Sequence, residues 1–500
     1  MDGLTKKEKN NLSRLGLFEL NGSLKVLHPN YLDLKYETNH FRFHYTLSES
    51  STHKVDNIDY VIQMGHVFEQ VWLFFIDTLN FESPPTDPSY ENDLYDIYIE
   101  NIPSYYFGIT YTSNYGSNLS ECSSFIKMRN NYNAPQFNEH SELENIKVTA
   151  VHEFFHSIQF SYNCFERLWV MEASAVWSED QLYNNINDLY RYLKSWFSNS
   201  SLSIDNESNH MYGSFILFQY IDEHFGGPVT IKKFWDYSKE YSSASKDISF
   251  QSLDSALDNE GISFEETYHK MTIANKILSK SVHPPYSYEE ADGYKSITSG
   301  PNDKNTITFK KNETQSINNQ TMNKYSTLYY SLSIEDPVNI SLIKNNGDFS
   351  LSIIIKHDDI DYWTIKSGDQ VNISPNIDIE WISIVISSIG YNESNWNFSI
   401  LLEDGYLEDF TLAPPFPNPS IKNKIIFKLN VIEEQNIILS INDLLGRKVW
   451  SKTTNFNTPG TKDIIWDGIN NQGKRISNGV YFITAKGKIM QKTHKIIFLK

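Results

Sequence analysis

The run His152-Glu153-Phe154-Phe155-His156 constrains this chain more than any other feature. Two histidines four apart on a helix lie on one face, close enough to hold one metal ion. The glutamate between them can act as general base on zinc-bound water. In a chain of 500 residues with 14 histidines, this pattern arises by chance on the order of 0.02 times. Val148-Thr149-Ala150-Val151 before it and Ser157-Ile158-Gln159-Phe160 after it continue a mostly apolar, helix-compatible run without Pro or Gly. The competing reading is a buried helix whose histidines are merely hydrogen-bonded.

A catalytic zinc needs three protein ligands and an open fourth position. Leu168 to Trp177 reads as a second apolar helix with Glu172 in its middle. A lone carboxylate among Trp, Val, Met and Ala is costly to bury unless it is paired or bound to metal. Fifteen residues separate His156 from Glu172, enough for a turn and a returning helix. Glu166 and Glu179 compete for the role. Glu166 sits in a polar Cys-Phe-Glu-Arg stretch and reads as a solvated turn residue. Glu179 falls two turns beyond Glu172 on the same face, as either a partner of a zinc-bound histidine or a plain surface charge.

This combination resembles the gluzincin metallopeptidases, in which a helical Glu after the His-Glu-x-x-His helix completes the site in a Trp-x-x-Glu-x-x-Ala setting. Trp169, Glu172 and Ala175 match it. The resemblance implies zinc held by His152, His156 and Glu172, with Glu153 as the base. It also implies a Tyr or His donor to the oxyanion. Tyr212, just before Gly213 and the helix Phe215 to His224, fits that place, with His210 as the fallback. With 31 tyrosines in the chain, a packing or surface role for Tyr212 is equally compatible.

Upstream, His40 to Thr46 alternates like a strand, and Val61 to Asn80 carries a long helical pattern. Leu94 to Ile99, Phe107 to Tyr111 and Ser123 to Met128 read as strands. This order resembles the upper lobe of zincins, with Ser123 to Met128 as the edge strand that receives the substrate backbone. The expected architecture is multidomain. An N-terminal extension (1–34) and an α+β zincin-like catalytic domain (35–290) precede two all-β, Ig-like or β-sandwich domains at 300–405 and 417–500, the latter joined by a linker at 406–416. His357-Asp358-Asp359-Ile360-Asp361 reads as a solvated turn, with calcium as the rarer alternative.

The C-terminal segment carries Pro417-Asn418-Pro419, Asp443-x-x-Gly446-Arg447, Trp466-Asp467-Gly468, Asn478-Gly479-Val480-Tyr481-Phe482 and a terminal Ile497-Phe498-Leu499-Lys500. In this order they resemble the C-terminal sorting domain of the type IX secretion system. That resemblance implies an encounter with the secretion machinery and export to the cell surface or medium. An Ig-like module that only packs or binds is the alternative.

A net charge of −19 disfavours nucleic acid and anionic membranes as partners. No apolar run approaches the ~20 residues that span a bilayer. Met1 to Asn11 is charged and polar rather than a signal peptide, so export implies a truncated or misassigned start. Cys122 and Cys164 could form one disulfide or remain two buried thiols. The sequence therefore points to a secreted zinc peptidase acting on peptide or protein substrates. The rivals are a surface binding protein with a vestigial zincin lobe and a zinc aminopeptidase. The chain has no Gly-Ala-Met-Glu-Asn-like stretch to hold a free amino terminus.

Overall fold

The first unit is built on a five-stranded sheet backed by long helices. A computed structural model of the protein describes residues 19–20, 23–24 and 28–499, except 87–92, 116–119, 243–245, 359–362, 376–378, 391–394, 407 and 421–423. Most of the 1–34 extension lies outside the described residues. The chain divides into two units: residues 1–271 with 288–300, and residues 272–287 with 301–500.

In chain order the sheet elements are β1 (Leu34–Glu37), β2 (Phe41–Tyr45), β3 (Tyr95–Glu100), β4 (Gly108–Tyr115) and β5 (Cys122–Arg129). Their spatial order is β1-β2-β3-β5-β4. β2, β3 and β5 run parallel, and β1 and β4 add antiparallel edges. The strand Ser123 to Met128, expected at the edge, is therefore interior. The chain folds back as a hairpin, and this places β4 outside β5.

Helix α1 (Ile58–Trp72) connects β2 to β3 and starts where the Asn57 side chain accepts from the Asp59 and Tyr60 amides. A π-helical turn, Leu73–Thr78, extends it. Helix α2 (Glu142–Tyr162) begins at a reciprocal cap between Ser141 and Glu144. Phe154 packs edge-on against Phe41 at 5.2 Å, and Phe155 against Phe75 at 5.2 Å. These aromatics fix one side of α2 in the core.

After a short turn comes α3 (Leu168–Tyr183), in which Trp169, Val170, Ala173, Ala175, Val176 and Trp177 are fully buried. A helix apolar on every side belongs inside a domain. Then follow α4 (Tyr190–Ser198), α5 (His210–Gly213), α6 (Phe215–His224), α7 (Pro228–Glu240), α8 (Ser249–Asp258) and α9 (Phe264–Ile277). Among the described residues, no helix is long and apolar enough to cross a membrane.

In the second unit, strands between Asn305 and Asp404 form a five-stranded and a four-stranded sheet. Their shared core is aliphatic, with Ile340, Phe349, Ile353, Ile384, Phe398 and Ile400. Residues 272–287, expected in the first domain, belong to this unit. Ile273, Ile277 and Val282 pack on Tyr329, Ile354 and Val385, and the Tyr329 hydroxyl donates to the Thr272 carbonyl at 2.8 Å.

A second sandwich pairs a three-stranded with a four-stranded antiparallel sheet. Its core includes Phe427, Leu429, Leu439, Ile441, Trp466, Ile483 and Phe498. The segment 406–416, expected as a linker, contributes the strand Phe410–Leu412 to this sandwich, with Phe410 fully buried. The prolines 414 and 415 read as a boundary, but the apolar Phe410 and Leu412 before them have a core to fill.

Candidate metal centre

The residues His152, His156 and Glu172 converge in the first unit. One helical turn on α2 separates the two imidazoles, and α3 returns antiparallel to bring Glu172 opposite them. The His152 and His156 Nε2 atoms lie 3.2 Å apart. Glu172 Oε2 lies 3.3 Å from His152 Nε2 and 3.6 Å from His156 Nε2. A tetrahedral ion with donors at about 2.0–2.1 Å requires donor separations of about 3.3–3.4 Å. Among the described residues, this is the one group of three or more such side chains with donor atoms close enough for an ion. All three side chains retain some solvent exposure, so an open position is available.

Each imidazole is oriented from behind. His152 Nδ1 meets Glu179 Oε1 at 2.8 Å. His156 Nδ1 meets Gln159 Oε1 at 2.8 Å, and the Gln159 amide donates to the Met171 carbonyl and Ser174 Oγ. That fixed amide makes Gln159 Oε1 an acceptor, so His156 Nδ1 carries the proton and Nε2 keeps its lone pair. Glu179 does the same for His152. Its buried place makes it a partner of the His152 imidazole and not a surface charge.

Burial opposes ionisation of Glu172, yet the two imidazoles beside it hold its carboxyl well below the usual range. Burial also pulls His152 down, but Glu172 and Glu179 outweigh it and push the ring well above its ordinary value. Burial pushes Glu179 up to about 7, against the pull of His152. The carboxylates of Glu172 and Glu179 beside the imidazoles make the local field negative, which favours a cation, and a bound metal would displace the proton of His152.

Glu153 is buried beside this group, and the Thr110 hydroxyl from β4 donates to its Oε2 at 2.7 Å. Oε1 lies outside that hydrogen bond. Gly108 makes this approach possible, since a Cβ there would lie 2.6 Å from Glu153 Cγ. Sequence reading missed Thr110, Gly108 and Gln159. Only the spacing of Gln159, three residues after His156, offered a signal.

Tyr212 stacks on Tyr192, with ring centroids 5.2 Å apart. Glu172 beside it, then burial and Glu153, hold its phenol protonated. Its hydroxyl has no hydrogen-bond partner among the described residues. Gly213 lets Trp196 approach, because a Cβ there would lie 2.5 Å from Trp196 Cβ. His210 instead stacks on Trp196 at 5.6 Å, and burial lowers it to about 4.

Glu166 is a correction. It is buried and not solvated, and it accepts from Ser238 Oγ and Ser249 Oγ at 2.6 Å each. Those hydroxyls come from α7 and α8, far along the chain. Burial nonetheless pushes its carboxyl up. Cys122 and Cys164 form a disulfide that ties the start of β5 to the turn between α2 and α3. His357 ends a strand and is buried, while Asp359 to Asp361 lie outside the described residues.

Residues 415–499 match the family described as the secretion system C-terminal sorting domain. This segment is a type IX sorting domain. The protein is accordingly secreted or carried on the cell surface, and the sorting domain implies an interaction with the secretion machinery. No curated protein matches the chain. Similar solved structures include dimeric latent PorU from Porphyromonas gingivalis, with 18% identity, a TM-score of 0.18, and 37% of this chain and 20% of that one covered. A β-glucuronidase from Parabacteroides merdae has 11% identity and a TM-score of 0.18, over 36% and 28% of the two chains. One from Bifidobacterium dentium has 8% identity and a TM-score of 0.16, over 36% and 40%. The chain thus spans between a fifth and two fifths of those proteins' length.

Proposed function

We infer that the protein is a secreted, zinc-dependent peptidase whose first unit is a zincin-like catalytic domain of the gluzincin type. The observation that carries this reading is the near-tetrahedral spacing of His152, His156 and Glu172, with Glu153 alongside. Two imidazoles and a carboxylate are a donor set that suits zinc. Bound zinc supplies Lewis acidity, polarising a carbonyl and bringing the pKa of its water to about 7.

The chain's own groups supply the rest. Glu179 and Gln159 keep both Nε2 atoms turned toward the ion. Glu153 Oε1 takes a proton from the attacking water and passes it to the leaving amine, while Thr110 holds Oε2 in place. The Tyr212 hydroxyl, protonated through the neutral range, donates to the carbonyl oxygen as charge develops there. The edge strand β4, which touches Glu153, takes the substrate-aligning role first expected of Ser123 to Met128.

Elemental analysis should find about one zinc per chain, lost in His156→Ala. Glu153→Gln should retain zinc and lose at least ~100-fold in hydrolysis of a fluorogenic peptide or casein. Zinc-loaded protein with no chelator-sensitive hydrolysis would favour a binding protein. Wild-type turnover in Glu153→Gln would overturn the mechanism.

A further inference from the structure

Tyr105 and Tyr106 stand out among the exposed aromatics. Tyr105 is 74% exposed and Tyr106 42%, and their rings lie 4.4 Å apart. Neighbouring apolar rings left in water gain the fold nothing. Yet the backbone that carries them is firmly held. Arg129 is buried, and its Nη1 donates to the carbonyls of Ile102, Pro103 and Tyr106 at 3.1, 3.0 and 2.9 Å. The Gln136 amide donates to the Ser104 carbonyl, and the Tyr106 amide to that of Pro103. Next along the chain, the Arg191 guanidinium lies over the Phe107 ring. Three carbonyls on one buried guanidinium make a rigid platform.

The platform lies close to the metal group. Tyr106 is two residues before Gly108, which abuts Glu153. Two extended residues reach about 7 Å. Tyr212 has Glu172, Glu153 and Tyr106 within electrostatic reach, and Tyr111 has Tyr105, Tyr106 and Glu153.

We propose that Tyr105 and Tyr106 form a specificity platform that takes an aromatic side chain of a peptide substrate, within about two residues of the bond that is cut. This rests on the peptidase reading. An aromatic residue covers both rings and removes the most apolar surface from water, whereas a lysine at so exposed a site adds only a weak cation–π contact.

The test uses full-length, zinc-loaded Glu153→Gln protein, so that peptides bind without being cut. Calorimetry would compare otherwise alanine-rich decapeptides carrying one Phe, Asp, Lys or Ala at each position in turn. The parent should bind the Phe peptide about tenfold more tightly than the Ala peptide at one or two adjacent positions. Tyr106→Ala should erase most of that preference, and Tyr105→Ala part of it. Tyr106→Phe should keep it, and zinc content should stay unchanged in all three. An undiminished Phe preference in the Tyr105→Ala/Tyr106→Ala double variant would overturn the proposal. So would a preference for Lys, or failure of the parent to bind any of the peptides. If the Phe preference follows Tyr106 while the wild-type protein hydrolyses nothing, the platform stands and the peptidase reading falls.

Discussion

The α2–α3 pair and the two sandwiches use their interiors in opposite ways. Inside the helix pair lie Glu153, Ser157, Gln159, Ser174, Ser178, Glu179 and Asp180, all buried. The apolar clusters of the sandwiches are almost entirely Ile, Leu, Val and aromatic residues, with Lys356, His357, Glu408 and Asp409 also buried in that unit. Buried polar atoms lower stability unless each finds a partner. The helix pair accepts that cost where partners converge on the metal group, as with Gln159 and Glu179. In the second unit Glu408 pairs with Lys366 at 2.6 Å and with Lys492 at 3.2 Å, and the buried charges do not gather into a group of possible metal ligands among the described residues. What sets the helix pair apart is that its buried polar groups converge on His152, His156 and Glu172.

The comparison predicts that a core truncation in the sorting domain acts on stability alone. Phe427 is fully buried, so Phe427→Ala should destabilise that sandwich by about 3–5 kcal/mol. In a host with type IX secretion the variant should stay in the cell. Its zinc content, measured on purified protein, should equal that of the wild type. Export at the wild-type level, together with an unchanged denaturant midpoint, would mean that this core carries little of the domain's stability.

What could be read from the sequence follows the same division. In the sandwiches, short apolar runs bounded by turn residues, such as Ile425 to Leu429, signal strands directly. Of the metal group, His152, His156 and Glu172 were readable because helical spacing sets which residues share a face. Thr110 and Gly108 were not, since their meeting with Glu153 depends on the order of strands in the sheet, and the hairpin that puts β4 outside β5 was missed. Glu166 was misread for a similar reason. Its neighbours in sequence are polar, but its partners Ser238 and Ser249 lie 72 and 83 residues away. Local polarity could not reveal a buried carboxylate satisfied from that distance.

Glu166 and Glu172 allow the sharpest test within the helix pair, because they sit six residues apart and serve different ends. Glu166→Ala would leave the buried Ser238 hydroxyl without its acceptor and Ser249 Oγ with only Asp247 Oδ1 at 3.0 Å. It should lower the stability of the metal-free protein by about 1–3 kcal/mol. Glu172→Ala removes a proposed ligand and leaves the two imidazoles without the carboxylate they pair with. It should weaken zinc binding by ~100-fold or more in a chelator competition, whereas Glu166→Ala should leave zinc binding unchanged. If both variants lost zinc equally without losing stability, Glu166 would have to be counted with the metal group.

The smallest predicted effect concerns a buried carboxylate of the pair with an unpartnered oxygen. Asp180 is 3% exposed, and its Oδ1 has no hydrogen bond. Burial, then the carboxylates of Glu290, Asp222, Glu223 and Glu179, push it up to about 8. An unfolded aspartate titrates near ~3.9. Between these values the folded protein holds a proton that the unfolded chain releases. Stability from this site is therefore complete below about pH 4 and falls as pH rises toward 8. Asp180→Asn, which cannot ionise, should gain on the wild type by about 1–3 kcal/mol between pH 5 and pH 8.5. The difference between the two unfolding curves isolates Asp180 from Glu179 and Glu223, each pushed up to about 7. Parallel curves across that range would show that Asp180 is ionised in the folded protein, with a partner for its charge. The paired polar interior of the helix pair would then extend beyond His152, His156, Glu172 and their partners.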